Sequence, residues 1–101
     1  MCTGSQGDLA THALPAMAQG ALFSMATACC RENEATNVRF NEIYLGFRVE
    51  LDEFAAQNGT TSSSEFASVY EEILGRSEIR GSRVSVEGLE DLKDLKYKMK
   101  F

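Results

Sequence analysis

Apolar residues in the first third of the chain follow the spacing of a long helix. Between about residues 16 and 33 they repeat at i, i+3 and i+4 on one face, and further apolar residues cover most of the remaining surface. The residues of this face are Ala18, Ala21, Leu22, Met25, Ala26 and Cys29. Because a helix that is apolar nearly all round is buried on two sides, we expect it to pack on a sheet and on a second helix, from this chain or from a partner.

Two short extended segments and a second helix follow. A strand is predicted at about 38–45, where consecutive apolar residues favour burial on both faces in a parallel sheet, and Gly46 ends it. A helix is predicted at about 63–75, after the capping box Ser62-x-x-Glu65. A second strand is predicted at about 82–86.

The remaining segments are predicted with less regular structure. Residues 1–13 indicate a loop whose first residues could end a strand, and residues 52–63 indicate a polar loop. The tail, residues 89–101, closes with strict alternation, which suits an edge strand or a segment packed on a partner. The order helix, strand, helix, strand predicts an α/β fold with a parallel sheet, for which two strands alone are too few.

Composition narrows the classes of function. The 101 residues suffice for one small domain, and a net charge of −5 disfavours nucleic-acid binding. Three cysteines form no disulfide framework, and with His12 as the single histidine no metal site is expected. The stretch 9–30 lacks charge but holds seven polar or helix-breaking residues, so we expect a soluble helix and not a membrane span, in a cytoplasmic protein.

Three sequence blocks carry a resemblance to a known family. Residues Asn37–Gly46, NVRFNEIYLG, resemble the N-[IV]-R-[VF]-N-x-[IV]-x-P-G segment of the short-chain dehydrogenases/reductases. Ala28–Glu32 is similar to the A-L-A-x-E at the end of that family's long helix, and Ile79–Gly88 is similar to its last strand. The resemblance implies the C-terminal portion of such a protein, with the C-terminal half of a Rossmann-like doubly wound parallel sheet that is incomplete on its own.

The same resemblance implies that the catalytic pair is missing. The family's tyrosine and lysine positions fall on Pro15 and Gln19, which cannot act as an acid/base or hold a ribose in the same way. The family's serine falls near Cys2 or Thr3, where only the threonine offers a hydroxyl donor. The Gly-rich phosphate loop is absent as well. We therefore expect no catalytic residue and no cofactor for the isolated chain, and NAD(P) only within a complete enzyme. His12, Asp8, Cys29 and Ser24 are the candidate groups for any different chemistry.

One wall of a nicotinamide site is implied at the turn after the predicted strand. By resemblance, Tyr44, Leu45 and Gly46 would contact the nicotinamide end, although Leu45 stands where the family has proline. For partners, the resemblance implies a homo-oligomer or a dehydrogenase-like partner chain. The alternative function is a non-catalytic interaction module that docks on such a partner through the apolar helix.

Overall fold

Four strands form the main sheet, and helices cover both of its faces. The computed structural model describes residues 1–101. The elements in chain order are β1 (Cys2–Gly4), α1 (Gln6–Leu9), α2 (Ala13–Glu32), β2 (Glu42–Leu45), β3 (Val49–Glu50), α3 (Asp52–Asn58), β4 (Thr61–Ser62), α4 (Ser63–Gly75), β5 (Ser82–Val86), a 3-10 turn (Leu89–Leu92) and β6 (Lys96–Met99).

The sheet is mixed and mostly parallel, which confirms the predicted α/β class. Its order is β1-β2-β5-β6, with the first three strands parallel and β6 antiparallel to β5. The alternating tail thus forms an edge strand. Strands β3 and β4 pair separately as a two-stranded parallel ribbon. The predicted pair of strands is therefore extended by β1 on one side and by β6 on the other.

The hydrophobic core lies between α4 and one face of the sheet. Helix α4 begins where its capping box predicts, and the Ser62 hydroxyl accepts a hydrogen bond from the Glu65 N–H at 3.1 Å. The buried members of the core are Ile43, Phe66, Val69, Ile73, Ile79, Val84, Val86 and Leu95. The amphipathic face of α4 thereby covers Ile43 of β2 and Val84 and Val86 of β5, which point to the same face of the sheet.

Helix α2 lies on the opposite face of the sheet. Its Phe23 ring is centred 5.8 Å from the Tyr44 ring, and Ala26 and Cys30 are buried beneath it. The chain steps in the same direction from β1 to β2 and from β2 to β5, yet the two connecting helices cover opposite faces. The two crossovers consequently have opposite hands, so one of them is left-handed. This form is rare, because roughly 98% of such units are right-handed.

The outer face of α2 is uncovered within this chain, so burial of the helix on a second side by a partner stays a prediction. Leu14, Met17 and Met25 are 76%, 63% and 50% exposed, because no other segment of the chain reaches that face. The helix also begins earlier than expected, with Pro15 accommodated in its first turn. By length and apolar composition alone it could cross a membrane, a criterion that core helices of soluble proteins also meet.

Three segments differ from their predicted structure. Helix α1 lies within residues 1–13, where a loop was expected. Residues 52–63 contain α3 and β4 where a polar loop was expected. Strand β2 starts at Glu42 and not near residue 38. Asn41 donates to the Ile79 carbonyl at 3.0 Å and accepts from the Ser82 N–H at 3.1 Å, which joins the approach to β2 with the approach to β5.

Each long helix ends against an arginine from a distant segment. The Arg39 guanidinium donates to the carbonyls of Ile73 at 3.0 Å and Leu74 at 3.1 Å, at the end of α4. The Arg80 guanidinium donates to the Asn33 carbonyl at 2.7 Å, at the end of α2. A cation placed there satisfies terminal carbonyls and complements the negative end of the helix dipole.

A fully buried carboxylate links the strands of the main sheet. Glu42 on β2 accepts hydrogen bonds from Thr3 on β1 at 2.7 Å, from Arg83 on β5 at 3.0 and 3.2 Å, and from Lys100 just after β6. The Lys100 ammonium also donates to the carbonyl of Phe23 on α2 at 3.0 Å. Burial acts to raise the pKa of Glu42, but these hydrogen bonds outweigh it and hold the pKa below its ordinary value.

Replacing Gly7 with alanine should destabilise the protein. A Cβ at Gly7 would lie 2.4 Å from the Phe23 ring, where α1 crosses α2, whereas a Cβ at Gly20 would meet nothing within 4 Å. We expect Gly7→Ala to lower the thermal midpoint. Gly20→Ala should raise it, because alanine is more favourable than glycine inside a helix by about 0.5–1 kcal/mol of folding free energy. Thermal unfolding followed by circular dichroism measures both, and equal behaviour of the two variants would contradict the close crossing.

Replacing Glu42 with glutamine should cost about 3–5 kcal/mol of stability at neutral pH, because it leaves the buried Lys100 ammonium without its counter-charge. Glu72→Gln, which breaks the half-exposed pair with Arg76, is the matched control and should cost far less. Because the Glu42 pKa is lowered, its contribution is complete above its ordinary pKa of 4.5 and is lost as the pH falls through the folded-state value. Urea unfolding at several pH values should therefore show that the free energies of unfolding of the unsubstituted chain and of Glu42→Gln become equal only in acid.

Candidate functional site

The carboxyl ends of the three parallel strands meet at one edge of the sheet. Strand β1 ends at Gly4, β2 at Leu45 and β5 at Val86. In open α/β sheets, ligands bind in the crevice outside these ends. The residues that immediately follow, Ser5, Gly46 and Glu87, therefore form the floor of the candidate site.

The Tyr44–Gly46 turn lies on this edge, and its polar backbone groups are largely engaged within the sheet. The Ser5 N–H donates to the Leu45 carbonyl at 3.0 Å, and the Gly46 N–H donates to the Val86 carbonyl at 2.9 Å. A side chain at Gly46 would place its Cβ 3.0 Å from the Glu87 Cα, so the glycine permits the close approach of β2 and β5. Contact of this turn with a nicotinamide remains a prediction.

The Tyr44 ring packs against the Phe23 ring of α2, with the ring centroids 5.8 Å apart. Burial, followed by the nearby Asp8 carboxylate, raises the pKa of Tyr44 to about 12. The Arg83 guanidinium lies over the ring, 4.9 Å from its centroid. A phenol with this pKa stays neutral near pH 7, so Tyr44 is poorly suited to replace a missing acid/base.

The positions that correspond by resemblance to the catalytic pair lie on the first half of α2. Pro15 is exposed in the first turn. The Gln19 side-chain oxygen accepts a hydrogen bond from the Gly4 N–H at 2.8 Å, which fastens α2 to the end of β1. Thr3 is buried and its hydroxyl donates to Glu42, so the donor considered for a substrate carbonyl is used inside the fold. Cys2 is exposed as a whole residue, but partial burial of its thiol raises the pKa of that group.

A small folded segment borders the crevice beyond Gly46. It comprises β3, α3 and β4, and its Asp52 carboxylate accepts hydrogen bonds from the Ser64 N–H at 3.1 Å and from the Ser64 hydroxyl at the start of α4. An open cavity of about 340 Å³ lies between this segment and the end of β5. Its polar lining includes Arg48, Thr60 and Glu87. This rim is the part of the site that the polar-loop prediction missed.

Asp91 shapes the loop that follows β5 and was also missed. Its carboxylate is buried and accepts hydrogen bonds from the N–H groups of Glu87 at 3.0 Å and Gly88 at 3.2 Å. The Lys96 ammonium, 2.9 Å away, together with these N–H groups, holds the pKa of Asp91 below its ordinary value. The available signal was an acidic residue three positions after Gly88, the spacing of a capping box.

The candidate groups for a different chemistry are not assembled. No hydrogen bond or ion pair joins any two of His12, Asp8, Cys29 and Ser24, and His12 contacts the neighbouring Thr11 at 3.3 Å. No cluster of three or more histidine, cysteine or acidic side chains has the arrangement of a metal site.

The chain is similar to part of a curated short-chain dehydrogenase/reductase. It is 43% identical over 103 aligned positions to the short-chain dehydrogenase/reductase iacG of Pestalotiopsis fici, an alignment that covers 97% of this chain. The chain spans only 42% of the length of that curated relative. No protein-family model matches the chain, and no solved structure matches it. The mostly parallel sheet and this identity lead to one conclusion: the protein is a partial short-chain dehydrogenase/reductase-like chain.

Proposed function

We propose that the chain forms the C-terminal portion of an NAD(P)-dependent oxidoreductase fold of the short-chain dehydrogenase/reductase type, and that it has no activity by itself. The observation that carries this proposal is the register of three parallel strands whose carboxyl ends, at Gly4, Leu45 and Val86, meet at one edge of the sheet. The strand that ends at Leu45 lies within the family-like NVRFNEIYLG block.

The absence of activity is inferred from side chains that lack acid/base capability or are engaged elsewhere. Pro15 has no ionisable group, and Gln19 is bonded to the end of β1. The Thr3 hydroxyl serves Glu42, and the Tyr44 phenol has a raised pKa. Since proton transfer needs a group within hydrogen-bond reach and with a pKa near the working pH, none of these four side chains is suited to it.

A role as one wall of a larger site follows from the same edge. Within a complete protein, the turn Tyr44–Gly46 would border the nicotinamide end of NAD(P), and the segment β3-α3-β4 would border the substrate side. The adenosine half of the dinucleotide would need a G-x-G-x-x-G loop between a strand and a helix. Gly4 and Gly7, the glycines at the junction of β1 and α1, do not have that spacing. The isolated chain is therefore expected to hold no cofactor, and we place the protein in the cytoplasm.

The alternative function is an interaction module, and the uncovered face of α2 favours it. Leu14, Met17 and Met25 present an apolar surface on a helix without any charge between residues 9 and 30. Apolar surface of this kind is typical of sites where proteins associate. The occupant would be a second copy of this chain or a dehydrogenase-like partner, with no nucleic acid and no membrane involved.

Dinucleotide binding tests the proposed incompleteness. Isothermal titration calorimetry with NAD⁺ and with NADPH should show no binding by the chain at ligand concentrations up to about 1 mM. The double variant Pro15→Tyr, Gln19→Lys is the matched control and should also fail to bind, because the adenosine half still lacks its site. A dissociation constant of about 1 µM or tighter for the unsubstituted chain would contradict the proposal.

Association through α2 is tested by Met25→Asp. Because Met25 is 50% exposed, the new carboxylate stays hydrated in the free chain, and the thermal midpoint should change little. Light scattering should show that the unsubstituted chain associates with rising concentration and that the variant remains monomeric.

Leu89→Asp serves as the control for this experiment. Leu89 is 63% exposed on the loop after β5, away from α2, so this substitution should leave the assembly unchanged. A chain that is monomeric at every concentration tested would count against association with a second copy. Loss of folding on Met25→Asp would show that α2 is covered in a way that the free chain does not reveal.

A further inference from the structure

An open groove lies between α2 and the β5–β6 edge of the sheet, on the face opposite the core. Its volume is about 440 Å³, within the range of small-molecule sites. Phe23, Ser24 and Thr27 line it from α2, and the cations Arg83, Lys98 and Lys100 line it from the strands. Arg83 is the second residue of β5, so the groove is displaced toward the amino end of that strand and away from the carboxyl-end crevice.

The groove carries an excess of positive charge in an acidic protein. The carboxylate that faces its cations is Glu42, which is fully buried and bonded to Arg83 and Lys100. Lys98 takes part in no ion pair or hydrogen bond. Three cations and one carboxylate leave about two unneutralised positive charges here, although the whole chain has a net charge of −5. Local charge of the opposite sign to the whole molecule favours an anionic ligand.

The register of the sheet places two of these cations directly opposite each other. Arg83 on β5 pairs with Lys98 on antiparallel β6, and both side chains line the groove. Like charges in directly opposed positions destabilise a pair of strands. An anion bound between them would replace this repulsion with two attractive contacts.

Donor groups remain free on both walls. Arg83 uses Nε and Nη2 to bind Glu42, which leaves Nη1 without a protein partner. The guanidinium is held over the Phe23 ring at 4.8 Å, so its orientation is fixed before any ligand arrives. The Ser24 hydroxyl, exposed on α2, makes no hydrogen bond within the protein, whereas that of Thr27 donates to the Phe23 carbonyl at 3.1 Å.

We propose that this groove binds the phosphate group of a small phosphorylated molecule. Arg83 Nη1 and the Lys98 ammonium would supply charge-assisted hydrogen bonds to phosphate oxygens, and the Ser24 hydroxyl would supply a third donor. A doubly charged phosphate ester matches the two unneutralised charges better than a single carboxylate does. The site is separate from the crevice described above and does not depend on the proposed function.

The test uses the full chain labelled with ¹⁵N and titrated with glycerol 3-phosphate. Sodium chloride at matched ionic strength is the reference for non-specific screening. We expect saturable amide shifts centred on Ser24, Thr27, Arg83 and Lys98. Lys98→Gln should weaken binding about tenfold, the effect of one charge-assisted hydrogen bond, and Lys93→Gln, which removes an equal charge outside the groove, should leave it unchanged.

Three outcomes would overturn the proposal. The first is a set of shifts no larger than those produced by sodium chloride. The second is equal weakening by Lys98→Gln and Lys93→Gln, which would indicate general charge attraction. The third is binding to vesicles that contain phosphatidic acid without binding to glycerol 3-phosphate, which would assign the charge to a lipid surface. Both variants alter exposed side chains, so a dispersed amide spectrum will verify that each remains folded.

Discussion

The buried carboxylate of Glu42 is the interaction on which the sheet most depends. Its partners come from β1, from β5 and from the residue after β6, so one side chain contacts groups from every other part of the main sheet. A charge with no exposure to water is tolerated only when it is paired and hydrogen-bonded. The C-terminal segment is therefore held to α2 and to the sheet by Lys100, whose ammonium also bonds the Phe23 carbonyl.

The layers around this sheet are unequally filled. One face has a continuous core beneath α4, whereas α2 contributes only Ala26 and Cys30 as buried residues and leaves Leu14, Met17 and Met25 exposed. The body is 18 Å thick in its shortest dimension, and its radius of gyration of 14.1 Å exceeds the roughly 13 Å expected for this length. A second layer over α2 and a neighbour for the free edge of β1 would complete the arrangement of a larger α/β domain.

The two ends of the sheet offer different chemistry. At the carboxyl-end crevice, backbone groups around Gly46 and the side chains of Thr3 and Gln19 are hydrogen-bonded to other groups of the protein. In the groove beside β6, Lys98 and one nitrogen of Arg83 remain without partners. Free donors of a single sign favour recognition of an anion, whereas engaged groups favour a structural role. The crevice thus resembles part of a site, and the groove resembles a site that the fold itself completes.

The sequence by itself determined the elements whose signal is local. Periodicity and the Ser62 cap placed α4, apolar spacing placed α2, and alternation indicated an edge strand at the tail. Only the tertiary structure decided the opposite hands of the two crossovers, the pairing of β1 and the roles of Arg39, Glu42, Arg80 and Asp91. Three of these roles join residues more than thirty positions apart, which local spacing does not record. For Asp91 the capping-box spacing was a local signal, but its burial and its ion pair with Lys96 depend on the packing around it.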